Sequence, residues 1–195
     1  MQKARFNLDG IKPTELYDYM ISQMQEILIE ETIWDGKLGN TNEVRRVIRW
    51  LLEGEKTSLI IQGGIGSGKS VFARALANTI GVRNRSPYFL EMGKIAKTTE
   101  QDKEIPEYVF ANKLVVFDDV GTEPTEVNAW GNHIELFNEI IYGRYPRRQP
   151  TIITTNFTQE EMRNKYGERI MSRLNEMCDV LVFTGNDLRY DTDNH

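Results

Sequence analysis

Apolar positions recur along this chain with two different periods, and the alternation between the periods predicts its architecture. Over residues 13–33, Leu16, Met20, Met24, Ile27 and Leu28 share one face of a 3.6-residue repeat, with Glu15, Asp18, Gln23, Glu26 and Glu30 largely elsewhere. That spacing predicts an amphipathic helix, with Pro13 suited to its first turn. Residues 35–40 read as a loop. A second helix follows over 42–52, carried by Val44, Val47, Ile48, Leu51 and Leu52, with Gly54 as its stop signal. Short apolar runs bounded by turn residues then predict strands at 57–62, 88–90, 113–118, 151–156 and 180–183. Lys113-Leu114-Val115-Val116-Phe117-Asp118 is nearly continuous in its apolar character, as a strand buried on both faces reads. Between the strands, helical periodicity returns. It runs from Val71, with Phe72, Ala75 and Leu76 on one face, and over 95–112 with a break at Pro106. It returns over 130–145, with Ile134, Phe137, Ile140 and Ile141 aligned, in a short helix capped near Thr158, and over 166–178. Strands alternating with helices predict a parallel α/β sheet. Residues 190–195 read as a tail.

Composition narrows the class. The chain has 195 residues, 39% hydrophobic and 27% charged, which suits one globular domain with a short appendage. It has no apolar run long enough for a bilayer span and no signal-type apolar core near Met1, so a cytoplasmic location is expected and a membrane partner is not. The single cysteine, Cys178, cannot form an internal disulfide and reads as a small helix-end hydrophobe. A net charge of −5 argues against a dedicated nucleic-acid wrapper and restricts DNA contact to local patches. Two basic stretches qualify: Arg144-Tyr145-Pro146-Arg147-Arg148, and Arg83 with Arg85. For both, a charged surface turn is the favoured reading. His133, near Trp130, has no His or Cys companions that would make a metal site.

The chemistry begins at Gly63-Gly64-Ile65-Gly66-Ser67-Gly68-Lys69-Ser70, which satisfies Gly-x-x-x-x-Gly-Lys-Ser/Thr at every fixed position. By average composition a chain of this length shows the pattern by chance at roughly one per cent. Here it also sits between a predicted strand and a predicted helix beginning at Val71, the setting a phosphate-binding loop requires. Backbone N–H groups of such a loop cradle nucleotide phosphates, the lysine reaches the β- and γ-phosphates, and the serine hydroxyl meets Mg²⁺. ATP with Mg²⁺ is therefore the expected ligand pair. Asp118 and Asp119 end the third strand, where an open α/β sheet presents ligands. Asp118 is the metal-side candidate beside Ser70, and Asp119 is placed to orient or deprotonate an attacking water. Asn156 ends the next strand and can hydrogen-bond a γ-phosphate or that water. Arg169 and Arg173 stand four residues apart, on one helical face. The Gly121-Thr122-Glu123-Pro124 turn shapes the side of the site next to the acids.

In series, Gly63 to Ser70, Val115-Val116-Phe117-Asp118-Asp119, Thr154-Thr155-Asn156 and Gly167-Glu168-Arg169-Ile170-Met171-Ser172-Arg173-Leu174 resemble the DnaC-type helicase-loader and IstB-like ATPases of the AAA+ superfamily. The resemblance spans about residues 41–184, and the segment around Arg169 and Arg173 is its most discriminating part. It implies a P-loop NTPase of the AAA+ (ASCE) class: a three-layer α/β sandwich with a five-stranded parallel sheet in the order 5-1-4-3-2, lacking a full C-terminal helical lid. The domain layout expected from it is a helical appendage at 1–40, an ATPase domain at 41–184 and a tail at 185–195. The resemblance makes Asn156 the sensor-1 residue, Arg173 an arginine finger acting on a neighbouring subunit, and Arg169 its supporting arginine. It implies an ATPase that is slow alone and stimulated by assembly or by a partner. The implied partners are further copies of the chain, a replicative helicase or transposase, and DNA, in replication or mobile-element transactions. The family usually has Glu where this chain has Asp119. The shorter arm motivates an alternative, an ATP-dependent adaptor with vestigial hydrolysis. A P-loop small-molecule kinase is a further alternative, which Asn156 and the paired arginines fit poorly. A GTPase fits less well, because no Asn-Lys-x-Asp base-reading motif is present.

Overall fold

The computed structural model describes residues 6–8, 10–30, 41–82 and 84–183. The expected loop at 35–40, the last turn of the first predicted helix, Arg83 and the tail lie outside these residues.

Five strands form one parallel sheet: β1 (Ser58–Gly63), β2 (Tyr88–Glu91), β3 (Val115–Val120), β6 (Thr151–Thr155) and β7 (Cys178–Phe183). A two-stranded antiparallel hairpin supplies β4 (Val127–Ala129) and β5 (Asn132–Ile134). The sheet order is β2-β3-β6-β1-β7, so the first of its strands lies between the fourth and fifth. The alternation of each strand splits the core into two layers. Leu59 and Ile61 of β1, Val116 of β3 and Ile152 of β6 face α1 (Pro13–Glu30), α2 (Thr41–Glu53) and α3 (Lys69–Gly81). Ile60, Val115, Phe117 and Ile153 face α4 (Met92–Asp102), α5 (Leu136–Arg144) and α6 (Gln159–Met177). Burial of both faces explains why β3 reads as an unbroken apolar run. The result is a three-layer α/β/α sandwich.

Helix α1 is continuous with the first core layer. Leu16, Met20, Met24 and Ile27 are buried together with Phe72, Ala75 and Leu76 of α3, which is the apolar face its periodicity predicts.

Local signals misread two stretches. The helix expected over 130–145 begins only at Leu136, because Trp130 and Gly131 both adopt positive φ (51° and 77°) and turn the chain back as the β4–β5 hairpin. The apolar spacing of Ile134 against Phe137 imitated a helical period across that turn. The helical stretch expected over 95–112 begins at Met92, ends at Asp102 with Lys103 in the left-handed region (φ 60°), and resumes only as a 3-10 turn at Glu107–Phe110. The two helices expected after Thr158 are both present as halves of α6, separated at Gly167 (φ 80°, ψ 165°). Thr158 caps the first half, accepting from the Glu161 N–H while Glu161 accepts from the Thr158 N–H, a reciprocal capping box.

Candidate nucleotide-binding site

The loop between β1 and α3 is shaped by glycine. A Cβ on Gly63 would lie 2.8 Å from the Phe183 Cβ and 2.9 Å from its carbonyl oxygen, so only glycine lets β1 and β7 close at this point. Gly66 (φ 74°) and Gly68 (φ 85°) take left-handed conformations that ordinary residues avoid, and Gly68 is the N-cap of α3. Space above Gly64 is open. Ile65 is exposed, Val71 is buried, and Ser67 is tucked inside with its hydroxyl donating to the Gly64 carbonyl at 2.9 Å. Lys69 is 5% exposed, and its ammonium donates to the same carbonyl at 2.6 Å. The ammonium thus lies inside the turn at a helix N-terminus, where backbone N–H groups and the helix dipole favour an anion. This glycine-lined cradle with an internal cation fits a polyphosphate.

Parallel strands bring the acids to the same edge. Asp118 is 7% exposed, and the Ser70 hydroxyl bonds its carboxylate, so the phosphate loop and the end of β3 are directly joined. The pairing of β3 with β6 shifts register between Phe117 and Val120, and Asp119 at this irregularity has φ 56°. Thr154, fully buried in β6, spans the irregularity. Its hydroxyl donates to Asp118 Oδ1 at 2.5 Å and accepts the Asp119 N–H at 2.9 Å. Burial raises the Asp118 pKa above the usual aspartate range. The hydrogen bonds from Thr154 and Ser70 pull it back down, Asp119 pushes it up, and Arg74 pulls it down. A buried carboxylate next to a serine hydroxyl is an oxygen donor set that fits a hard divalent cation such as Mg²⁺. Asn156 follows β6 directly and is half-buried beside this edge.

Arg169 and Arg173 are not part of this cluster. Helix α6 leaves the edge where β6 ends and descends to Cys178, which pairs with Ser58 at the start of β1. Arg173 lies five residues before Cys178 and stacks over Tyr142 and Tyr145 at the end of α5, with its guanidinium carbon 4.6 and 5.6 Å from the ring centroids. That end of α5 is tied to Lys113 and Pro150, the residues leading into β3 and β6. The guanidinium therefore sits toward the sheet edge opposite the phosphate loop. Arg169 is exposed just after the break at Gly167.

Two features were not singled out from the sequence. In the sequence Thr154 reads only as part of a strand, although a threonine inside a doubly buried strand must find a hydrogen-bond partner, and that is the available signal. The second is a cluster on the turn that follows the acids. Glu123, 3% exposed, accepts from the Tyr166 hydroxyl at 2.5 Å and from the Gly121 N–H at 2.9 Å. Lys165 donates to the carbonyls of Gly121 and Glu123, both at 2.7 Å. This cluster fastens the turn to the residue before the α6 break. One basic stretch needs correction. Arg144 is the last residue of α5, fully buried and spent on internal hydrogen bonds, so of that stretch's three arginines only Arg147 and Arg148 are exposed. Arg85 is exposed as expected. Cys178 is buried and its thiol pKa is pushed well up by desolvation, which leaves it unreactive. No helix among the described residues is long and apolar enough to cross a membrane.

Comparison with known proteins agrees with this arrangement. Residues 45–195 match the family described as IstB-like ATP binding protein. The replicative helicase loader DnaC of Escherichia coli K12 is 26% identical over 182 residues, covering 89% of this chain and 69% of the loader. Among solved structures, the DnaC helicase loader superposes with a TM-score of 0.61 at 23% identity, covering 86% of this chain and 99% of that one. DnaI superposes with a TM-score of 0.62 at 20% identity, covering 92% and 95%. AMPPCP-bound DnaA from Aquifex aeolicus gives 0.57 at 19% identity, covering 80% and 50%.

Proposed function

The chain belongs to the family of IstB-like ATP binding proteins, with the AAA+ fold, and on that premise we propose that it is an ATPase that acts as an assembly switch in DNA replication or transposition. The observation that carries the reading is the Ser70–Asp118–Thr154–Asp119 chain of hydrogen bonds, which joins the phosphate loop to the acids at one sheet edge. The loop from Gly63 to Val71 would hold the phosphates of ATP, with Lys69 turning from the Gly64 carbonyl to the β- and γ-oxygens. Ser70 and Asp118 would hold Mg²⁺, which supplies charge neutralisation on the phosphates when bound. Asp119 orients a water and takes its proton as the water oxygen bonds to the γ-phosphorus and the bridging P–O bond to ADP breaks. Asn156 steadies that water or the γ-phosphate.

Arg173, with Arg169 beside it, faces away from its own phosphate loop, so it serves the site of a neighbouring copy. Turnover is then slow in the monomer and rises on assembly. The likeness to a protein named as a replicative helicase loader supports a replicative helicase as partner, and the IstB-like family supports a transposase as the alternative. DNA contact falls to Arg85, Arg147 and Arg148. A second reading, a nucleotide-dependent adaptor with little turnover, is favoured by one observation: Asp119 has a shorter arm than Glu and is held in a left-handed conformation.

The test is ATP turnover of wild type, Arg173→Ala and Lys69→Ala, each alone and the two variants mixed. The proposal expects each variant to be inactive alone and the mixture to recover turnover. An Arg173→Ala protein as fast as wild type removes the finger. ATP binding without turnover at any protein concentration selects the adaptor.

A further inference from the structure

The segment Tyr142-Gly143-Arg144-Tyr145 has its four side-chain positions divided between two tasks. The inner pair anchors. A Cβ on Gly143 would lie 2.5 Å from the Phe110 ring, so the end of α5 is seated directly on the 3-10 turn. Arg144 is fully buried and ties five acceptors: the Thr151 hydroxyl at 2.9 Å and the carbonyls of Val109, Ala111, Lys113 and Pro150 at 2.7, 3.3, 3.1 and 2.8 Å. Among the described residues no carboxylate pairs with it, and burial lowers its pKa to about 10. A charge given up to five fixed acceptors makes this helix end rigid.

The outer pair faces α6. Tyr142 and Tyr145, three residues apart on one helical face, receive Arg173 on their rings. The Tyr145 hydroxyl bonds Glu176, one turn beyond Arg173. The guanidinium has one further tether, Nη1 to the Arg169 carbonyl at 3.2 Å. Arg173 is thus held by two aromatic rings and a carbonyl, with none of the described carboxylates in a salt bridge to it. Tyr142 is 38% exposed, so the cradle opens to solvent.

We infer that Tyr142 and Tyr145 are positioning residues for Arg173: a rigid aromatic cradle that holds the guanidinium extended toward the neighbouring copy without neutralising it. A carboxylate in that place would hold the arginine equally well but would compete with the γ-phosphate for its charge. Ring faces orient it through a weaker cation–π attraction that leaves the N–H donors available. The inference rests on Arg173 acting in trans, and the experiment separates the two.

Lys69→Ala supplies a finger but no working site, and Arg173→Ala supplies a site but no finger. Tyr142→Ala is added to one partner or to the other, and turnover of the mixture is measured. Placed on the Lys69→Ala partner, Tyr142→Ala should lower turnover about tenfold, while Tyr142→Phe in the same place should preserve it. Placed on the Arg173→Ala partner, Tyr142→Ala should change turnover less than about twofold, because that protomer gives no finger. Equal losses in both placements would show a general folding or assembly role and overturn the inference. No loss in either placement would overturn it as well. A parent mixture without turnover would instead overturn the trans finger, and with it the cradle.

Discussion

Thr154→Val removes one hydroxyl and little else, since valine matches threonine in shape. The hydroxyl donates to Asp118 Oδ1 at 2.5 Å and accepts the Asp119 N–H at 2.9 Å, inside a residue with no solvent exposure. A hydrogen bond to a charged group contributes about 1.5–3 kcal/mol, and a buried N–H left without an acceptor costs about 1–3 kcal/mol. Asp119 is only half-buried, so water recovers part of the second loss. A net effect of about 2 kcal/mol is therefore reasonable, felt as misplacement of both acids. If it falls mainly on the transition state, kcat drops about 30-fold while the affinity for ATP changes little. The bond from Thr154 also holds the Asp118 pKa down against burial. Its loss raises that pKa further and moves the acid limb of Mg²⁺-dependent turnover to higher pH. Thr154→Ser keeps the hydroxyl and should behave close to wild type. Steady-state turnover against pH for the three proteins is the assay. A valine variant within twofold of wild type, with an unmoved acid limb, would refute the idea that Thr154 organises the acids.

Asp118 gives a stability prediction with a definite sign. Its folded pKa is raised, so its contribution to stability is fully present below the unfolded value of 3.8 and is lost as pH rises through the folded value. Without nucleotide and cation, Asp118→Asn should therefore raise the Tm at neutral pH, and the gain should shrink on acidification; a lowered Tm at neutral pH would contradict this. Arg144→Met removes the buried guanidinium from four carbonyls and a hydroxyl, of which the Ala111 and Pro150 carbonyls keep the Lys113 and Val115 N–H groups as donors, and a loss of about 3 kcal/mol in urea unfolding is expected, whereas a loss below about 1 kcal/mol would show the anchor to be dispensable. Gly63→Ala places a methyl group against Phe183 and should cost about 1–3 kcal/mol by the same measurement, with weakened nucleotide binding.

Much of the fold was legible because both periods are strong where burial is complete. The alternation in Leu59-Ile60-Ile61 and the faces of α1 and α3 follow directly from which layer each residue enters. The phosphate loop was legible because its glycines answer to backbone geometry, which leaves a fixed spacing. The β4–β5 hairpin was hidden because Trp130 sits at positive φ, a conformation that its residue type does not advertise. The burial of Arg144 was hidden for a different reason. Four of its five acceptors are backbone carbonyls from Val109 to Pro150, and carbonyls leave no mark in a sequence. Thr154 was visible as a residue but not as a clasp, since its two partners meet it only after β3 pairs with β6.

If the arginine pair completes a neighbour's site, activity depends on how many protomers meet. Specific ATPase activity measured against protein concentration tests it most directly. Turnover per protomer should rise with concentration for wild type and stay low and flat for Arg173→Ala. Turnover per protomer that is independent of concentration, and equal in the two proteins, would contradict it.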